Sequence, residues 1–136
     1  GTLAVHNIVG FGKAAEIALR DLETNEQRIV KLDQMLIVGL KEIPSISLTN
    51  QPDKRLPGIV SIVVEKKDFN NERFIKHISD RLALSTGSAC SIGEPSYVIT
   101  ALGLEDKVSK VLRISLNKYT TEEEIDQLLQ LLREEL

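Results

Sequence analysis

The chain has 136 residues, enough for one domain with a single core. It is 42% apolar and 27% charged, with 17 Lys and Arg against 20 Asp and Glu and a formal charge of −3. That balance excludes a disordered chain and a basic nucleic-acid footprint, and no apolar run approaches the roughly 20 residues of a membrane span. Three Phe, two Tyr and no Trp leave the core to aliphatic side chains.

The first 43 residues read as helical. Val5, Ile8, Gly12, Ala15 and Leu19 form one apolar stripe, and Ile29, Leu32, Leu36, Leu40 and Ile43 form another. The polar run DLETNEQ between them predicts a break near Thr24. Pro44 ends the second helix, because the residue before a proline is pushed out of the α region.

SISLTN (45–50) alternates and predicts a half-buried strand, QPDKRLPG (51–58) predicts a loop, and IVSIVV (59–64) predicts a well-buried strand. Asn70 or Asn71 is placed to cap a helix carrying Phe74, Ile75 and Ile78. LALS (82–85) predicts a short strand. Pro95 suits the first turn of a helix ending near Gly103. VLRISLN (111–117) sets Leu112, Ile114 and Leu116 on one strand face, with Arg113 and Ser115 on the other. Thr120 and Thr121, each with a glutamate three positions on, offer a capping box for a last helix with the stripe Ile125, Leu128, Leu129, Leu132 and Leu136. The order predicts an α/β or α+β sandwich: a small mixed or antiparallel sheet, helices on one face, and solvent or a partner on the other.

The single cysteine, Cys90, stands in STGSACSIGEPS among small residues. Two readings stand. Little shielding and the positive end of a following helix favour a nucleophilic thiolate. Equally, small residues line tight turns, and the thiol can be packing. One cysteine forms no internal disulfide and points to a reducing, cytoplasmic setting. Arg113 is either a bidentate carboxylate clamp or a solvent-facing or ion-paired arginine on the open side of a sheet. His6 and His77 read as helix-surface residues, and a Cys–His dyad through His77 lacks an orienting residue. No ligand cluster points to a metal, and no glycine loop of either standard phosphate-binding type occurs.

STGSACS…EPSYVITALGL followed by LRISLNKYTTEEEID resembles the C-terminal part of the cysteine desulfurases, pyridoxal-phosphate enzymes of the class V aminotransferase group. GTLAVHNIVGFGKAAEIA resembles that family's passage from large to small domain. The resemblance runs over residues 1–136 and implies the small domain of a fold-type I pyridoxal-phosphate enzyme. It implies removal of sulfur from L-cysteine to give L-alanine, with a persulfide on Cys90 that passes to a sulfur-acceptor protein. It implies that Arg113 holds the substrate carboxylate, and that Thr2 reaches the cofactor phosphate in the neighbouring subunit of a homodimer. No direct nucleic-acid partner and no membrane are implied.

The family's cofactor-linking lysine belongs to a His-Lys motif of the large domain, and no lysine here has that context. The isolated chain is therefore expected to bind pyridoxal phosphate poorly and to lack activity. The alternatives are a stand-alone sulfur-relay or protein-binding module and an inert structural fragment. Two departures stand out. Only Ser91, Ile92 and Gly93 separate Cys90 from the EPS segment, and the family's LGR reads Leu116-Asn117-Lys118.

Overall fold

The computed structural model describes residues 1–49, 54–86 and 96–136. One helix, α1 (Val5–Lys41), makes up the first quarter of the chain. It passes through Thr24 without a break. The DLETNEQ run contains no glycine or proline, and the propensity cost of its Asp, Thr and Asn is small beside the helical flanks. The helix ends where the backbone N–H of Glu42 turns back to the carbonyls of Gly39 and Leu40, two residues ahead of Pro44.

Three short strands follow in an antiparallel sheet of order β1-β2-β3. They are β1 (Ile46–Leu48), β2 (Ile59–Val64) and β3 (Val111–Ser115). The register aligns Ile62 with Leu112 and Val60 with Ile114, so the large aliphatic side chains share one face. The C-terminal third of α1 covers that face with Leu32, Leu36, Ile37 and Leu40. Helix α2 (Asn71–Ile78) adds Phe74 and Ile78, and the last helix, spanning Glu122–Glu135, adds Ile125, Leu128, Leu129 and Leu132.

The predicted caps form. Asn70 accepts from the Arg73 N–H at the start of α2. At the last helix Thr121 and Glu124 close a reciprocal capping box, while the Thr120 hydroxyl accepts from the Asn117 N–H. The sheet's second face is partly covered. There Val63 and Val111 pack against Ile99, Leu104 and Val108. Ile99 lies in α3 (Tyr97–Ala101), which precedes a 3-10 helix, Glu105–Lys110. The Glu122–Glu135 helix is α4.

Two close approaches shape this core. Gly39 of α1 lies against Leu129 of α4: a Cβ there would stand 2.2 Å from Leu129 Cδ1. Gly58 precedes β2 with φ of +86°, a left-handed backbone that glycine adopts without strain. Its N–H donates to the buried Asp33 carboxylate at 2.7 Å, and that carboxylate also takes both terminal nitrogens of Arg55.

The first apolar stripe of α1 is not buried. Its members Val5, Ile8 and Leu19 are exposed, as are Phe11 and Leu22 on the same helix, and the first buried residue of the helix is Leu32. A rise of 1.5 Å per residue puts Val5 about 40 Å from Leu32 along the axis. The N-terminal part of α1 thus projects from the body of the molecule.

Candidate functional site

β3 carries the site's central residue. Leu112 and Ile114 point into the core, 0% and 3% exposed, so alternation turns Arg113 onto the second face. The main chain of Arg113 faces away from β2: its N–H donates to the Ser85 carbonyl at 2.7 Å, and the Ser85 N–H donates to its carbonyl at 3.2 Å. LALS therefore supplies a single antiparallel bridge, Ser85 to Arg113, rather than a strand. On the other flank Ser61 of β2 lies directly opposite Arg113. The outward hydrogen bonds of Arg113 make Ser61–Arg113 a non-hydrogen-bonded pair, the kind in which opposing side chains stand closest.

Arg113 thus projects from the sheet between two serines. Its Nη2 donates to Ser85 Oγ over 3.3 Å. The guanidinium is half-buried, and no carboxylate pairs with it among the described residues. A half-buried cation on short, polar neighbours has the chemistry to receive an anion, and its fork geometry suits a carboxylate.

The flanking anchors share this face. Ser85, tied to Arg113, precedes Cys90 by five positions. Beyond that segment the chain is held again where Ile99 packs on Val63 and Val111. Cys90 itself, like Pro95, lies outside the described residues. The helix expected to start near Pro95 spans only Tyr97–Ala101. Five residues make a small macrodipole, so the argument that a helix end activates the thiol loses most of its basis.

The other singled-out residues lie apart. Thr2 is exposed ahead of α1, and no contact joins it to Arg113. His6 is exposed on α1. His77 is exposed on α2, with Nε2 3.3 Å from Glu135 of α4, a carboxylate that also takes Arg81 at 2.6 Å. The Arg81 hydrogen bond holds the Glu135 carboxyl below the usual glutamate range, with a smaller contribution from His77. Among the described residues no group of three or more His, Cys, Asp or Glu could hold a metal, and no helix is long and apolar enough to cross a membrane. Sequence reasoning passed over Ser61 and Ser85. Ser85 closes the predicted strand LALS, but its pairing with Arg113 follows from a register that periodicity does not carry.

The family described as Aminotransferase class-V matches residues 1–128. Cysteine desulfurase IscS of Aeromonas hydrophila is 40% identical over 139 aligned positions, covering 100% of this chain and 34% of that protein. Cysteine desulfurase IscS of Shewanella loihica is 42% identical over 129 positions, covering 93% and 31%. Among solved structures, the NifS-like protein from Rickettsia africae superposes with a TM-score of 0.81 at 25% identity, covering 98% of this chain and 35% of that one. The chain spans about a third of the length of these relatives. Matched by the family over nearly its whole length, and superposing over 98% of its residues on that NifS-like structure, the chain belongs to the class-V aminotransferase family.

Proposed function

We propose that residues 1–136 form the small domain of a cysteine desulfurase. In this reading the enzyme takes sulfur from L-cysteine, holds it as a persulfide on Cys90 and passes it to a sulfur-acceptor protein. The observation that carries the reading is the Arg113 fork without a carboxylate partner among the described residues, in a chain 40% identical over its full length to a cysteine desulfurase.

Pyridoxal phosphate, when bound, supplies an electron sink that weakens the substrate C–S bond. Two residues of this chain fit such a site. Arg113 would offer N–H groups that have no carboxylate partner among the described residues to the substrate carboxylate, and so fix which way the substrate's sulfur points. Thr2 is an exposed hydroxyl at the far end of a projecting helix, with no hydrogen bond among the described residues. It would donate to the cofactor phosphate of a neighbouring subunit in a homodimer. The Cys90 thiolate forms an S–S bond to the substrate sulfur as the C–S bond breaks. The C–S electron pair stays on carbon, which takes a proton and leaves as L-alanine.

The lysine that links the cofactor belongs, in this reading, to a large domain outside these residues, against which exposed Phe11 and Leu19 of α1 would pack. The chain alone would then release no sulfur. A reducing compartment such as the cytoplasm suits a thiol that carries a persulfide.

The test is direct. The complete polypeptide with L-cysteine and pyridoxal phosphate should give alanine and a one-sulfur mass gain on Cys90, and Cys90→Ser should abolish both. Alanine release that survives Cys90→Ser would overturn the reading. Sulfur uptake by residues 1–136 alone from a persulfide donor, with no alanine from the complete polypeptide, would favour a relay module instead.

A further inference from the structure

Ser85 is bound to Arg113 three times over: two main-chain hydrogen bonds and one from Arg113 Nη2 to the Ser85 hydroxyl. We propose that Ser85 is a positioning residue for carboxylate binding, acting through Arg113. This rests on the reading that Arg113 receives the substrate carboxylate.

An arginine side chain has several rotatable bonds, and holding its fork in one orientation costs rotamer entropy. A fork already tethered at Nη2 has surrendered part of that freedom before substrate arrives, so less is lost on binding. The two flanks of Arg113 divide the work. Ser85 holds one guanidinium nitrogen. Ser61, opposite on β2, makes no side-chain hydrogen bond among the described residues. The same bridge fixes where the main chain departs toward Cys90, five positions on. The carboxylate clamp and the entry to the cysteine segment therefore share one anchor.

The experiment uses the complete polypeptide with bound cofactor and four forms: wild type, Ser85→Ala, Ser85→Thr and Arg113→Gln. Equilibrium affinity is measured for L-alanine and for ethylamine, which keeps the amine and lacks the carboxylate. Loss of one such hydrogen bond corresponds to about fivefold. Ser85→Ala should weaken L-alanine about fivefold and raise KM for L-cysteine similarly. Its kcat should stay within about twofold, and ethylamine affinity should not change. Ser85→Thr, which keeps the hydroxyl, should stay within about twofold of wild type for L-alanine. Unchanged L-alanine affinity in Ser85→Ala overturns the proposal, as does equal weakening of both ligands, which would mark local unfolding. If Arg113→Gln weakens L-alanine binding and Ser85→Ala does not, only the role of Ser85 falls. If Arg113→Gln leaves L-alanine binding intact, the assignment of Arg113 falls with it.

Discussion

Arg113 and Arg55 have opposite surroundings. Arg55 is sealed in, its side chain 6% exposed, with Asp33 on its terminal nitrogens and the carbonyls of Leu56 and Ile59 within reach of Nη1. Its work is internal: with Asp33 and the Gly58 N–H it pins the start of β2 to α1. Removing one partner of a buried pair strands the other charge, which costs about 3–5 kcal/mol. Asp33→Ala should therefore lower the unfolding free energy by about that much in a denaturant titration. A loss below about 1 kcal/mol would show that Arg55 finds water instead. Among the described residues Arg113 has one serine hydroxyl and no carboxylate on its fork. Arg113→Lys keeps the charge and loses the two-pronged geometry. If Arg113 receives the substrate carboxylate as proposed, this change should raise KM for L-cysteine in the complete polypeptide by about tenfold or more, while the variant unfolds as the wild type does. An unchanged KM would mean that charge alone suffices and the fork is idle. Alternation placed Arg113 on the open face from sequence alone. The Asp33–Arg55 pair was not legible, because 22 positions separate the partners and nothing in DKRLPG points to a helix residue upstream.

Among the elements, those with local signals were the readable ones. The capping box at Thr121, the Asn70 cap and the β-branched run of β2 each declare themselves within a few residues. LALS and the supposed break at Thr24 misled for the same reason: each was judged from its own composition, and neighbours decided the outcome. Residues 82–84 find no ladder beyond the bridge at Ser85, whereas the polar run at Thr24 is carried by helix on both sides. The α1–α4 contact was invisible too, since a glycine in a helix reads only as a weak position. Its test sets two effects against each other. Gly39→Ala gains about 1 kcal/mol of helix propensity, yet the new methyl meets Leu129 Cδ1 at 2.2 Å, and overpacking a core costs about 1–3 kcal/mol. The clash should win, for a net loss of about 1 kcal/mol in chemical denaturation. With Leu129→Ala as background the same substitution should become neutral or stabilising, and the two changes should not add. Additive effects would mean that α1 and α4 do not touch there.

At the scale of the whole molecule, α1 is divided by what surrounds it rather than by its sequence. Both stripes are apolar, but the second is largely buried and the first stands in solvent, with Val5 61%, Ile8 57% and Leu19 76% exposed. Periodicity reports that a face is apolar; it does not report who covers it. Exposed apolar area of this kind marks a contact surface, and in solution a second copy of the chain is the partner at hand. Residues 1–136 on their own should therefore self-associate with rising concentration, which light scattering can follow. Starting the chain at Asn25 should remove that association. It should also leave the fold nearly untouched, because the buried residues of α1 begin at Leu32 and the bond from Arg28 to the Thr120 carbonyl is retained. A loss of no more than about 1 kcal/mol corresponds to a fall in thermal midpoint of up to about 5 °C. A much larger fall would show that the projecting helix supports the body after all. Association that persists without residues 1–24 would shift the contact surface to the open face of the sheet beside Arg113, where Ile59 is also exposed.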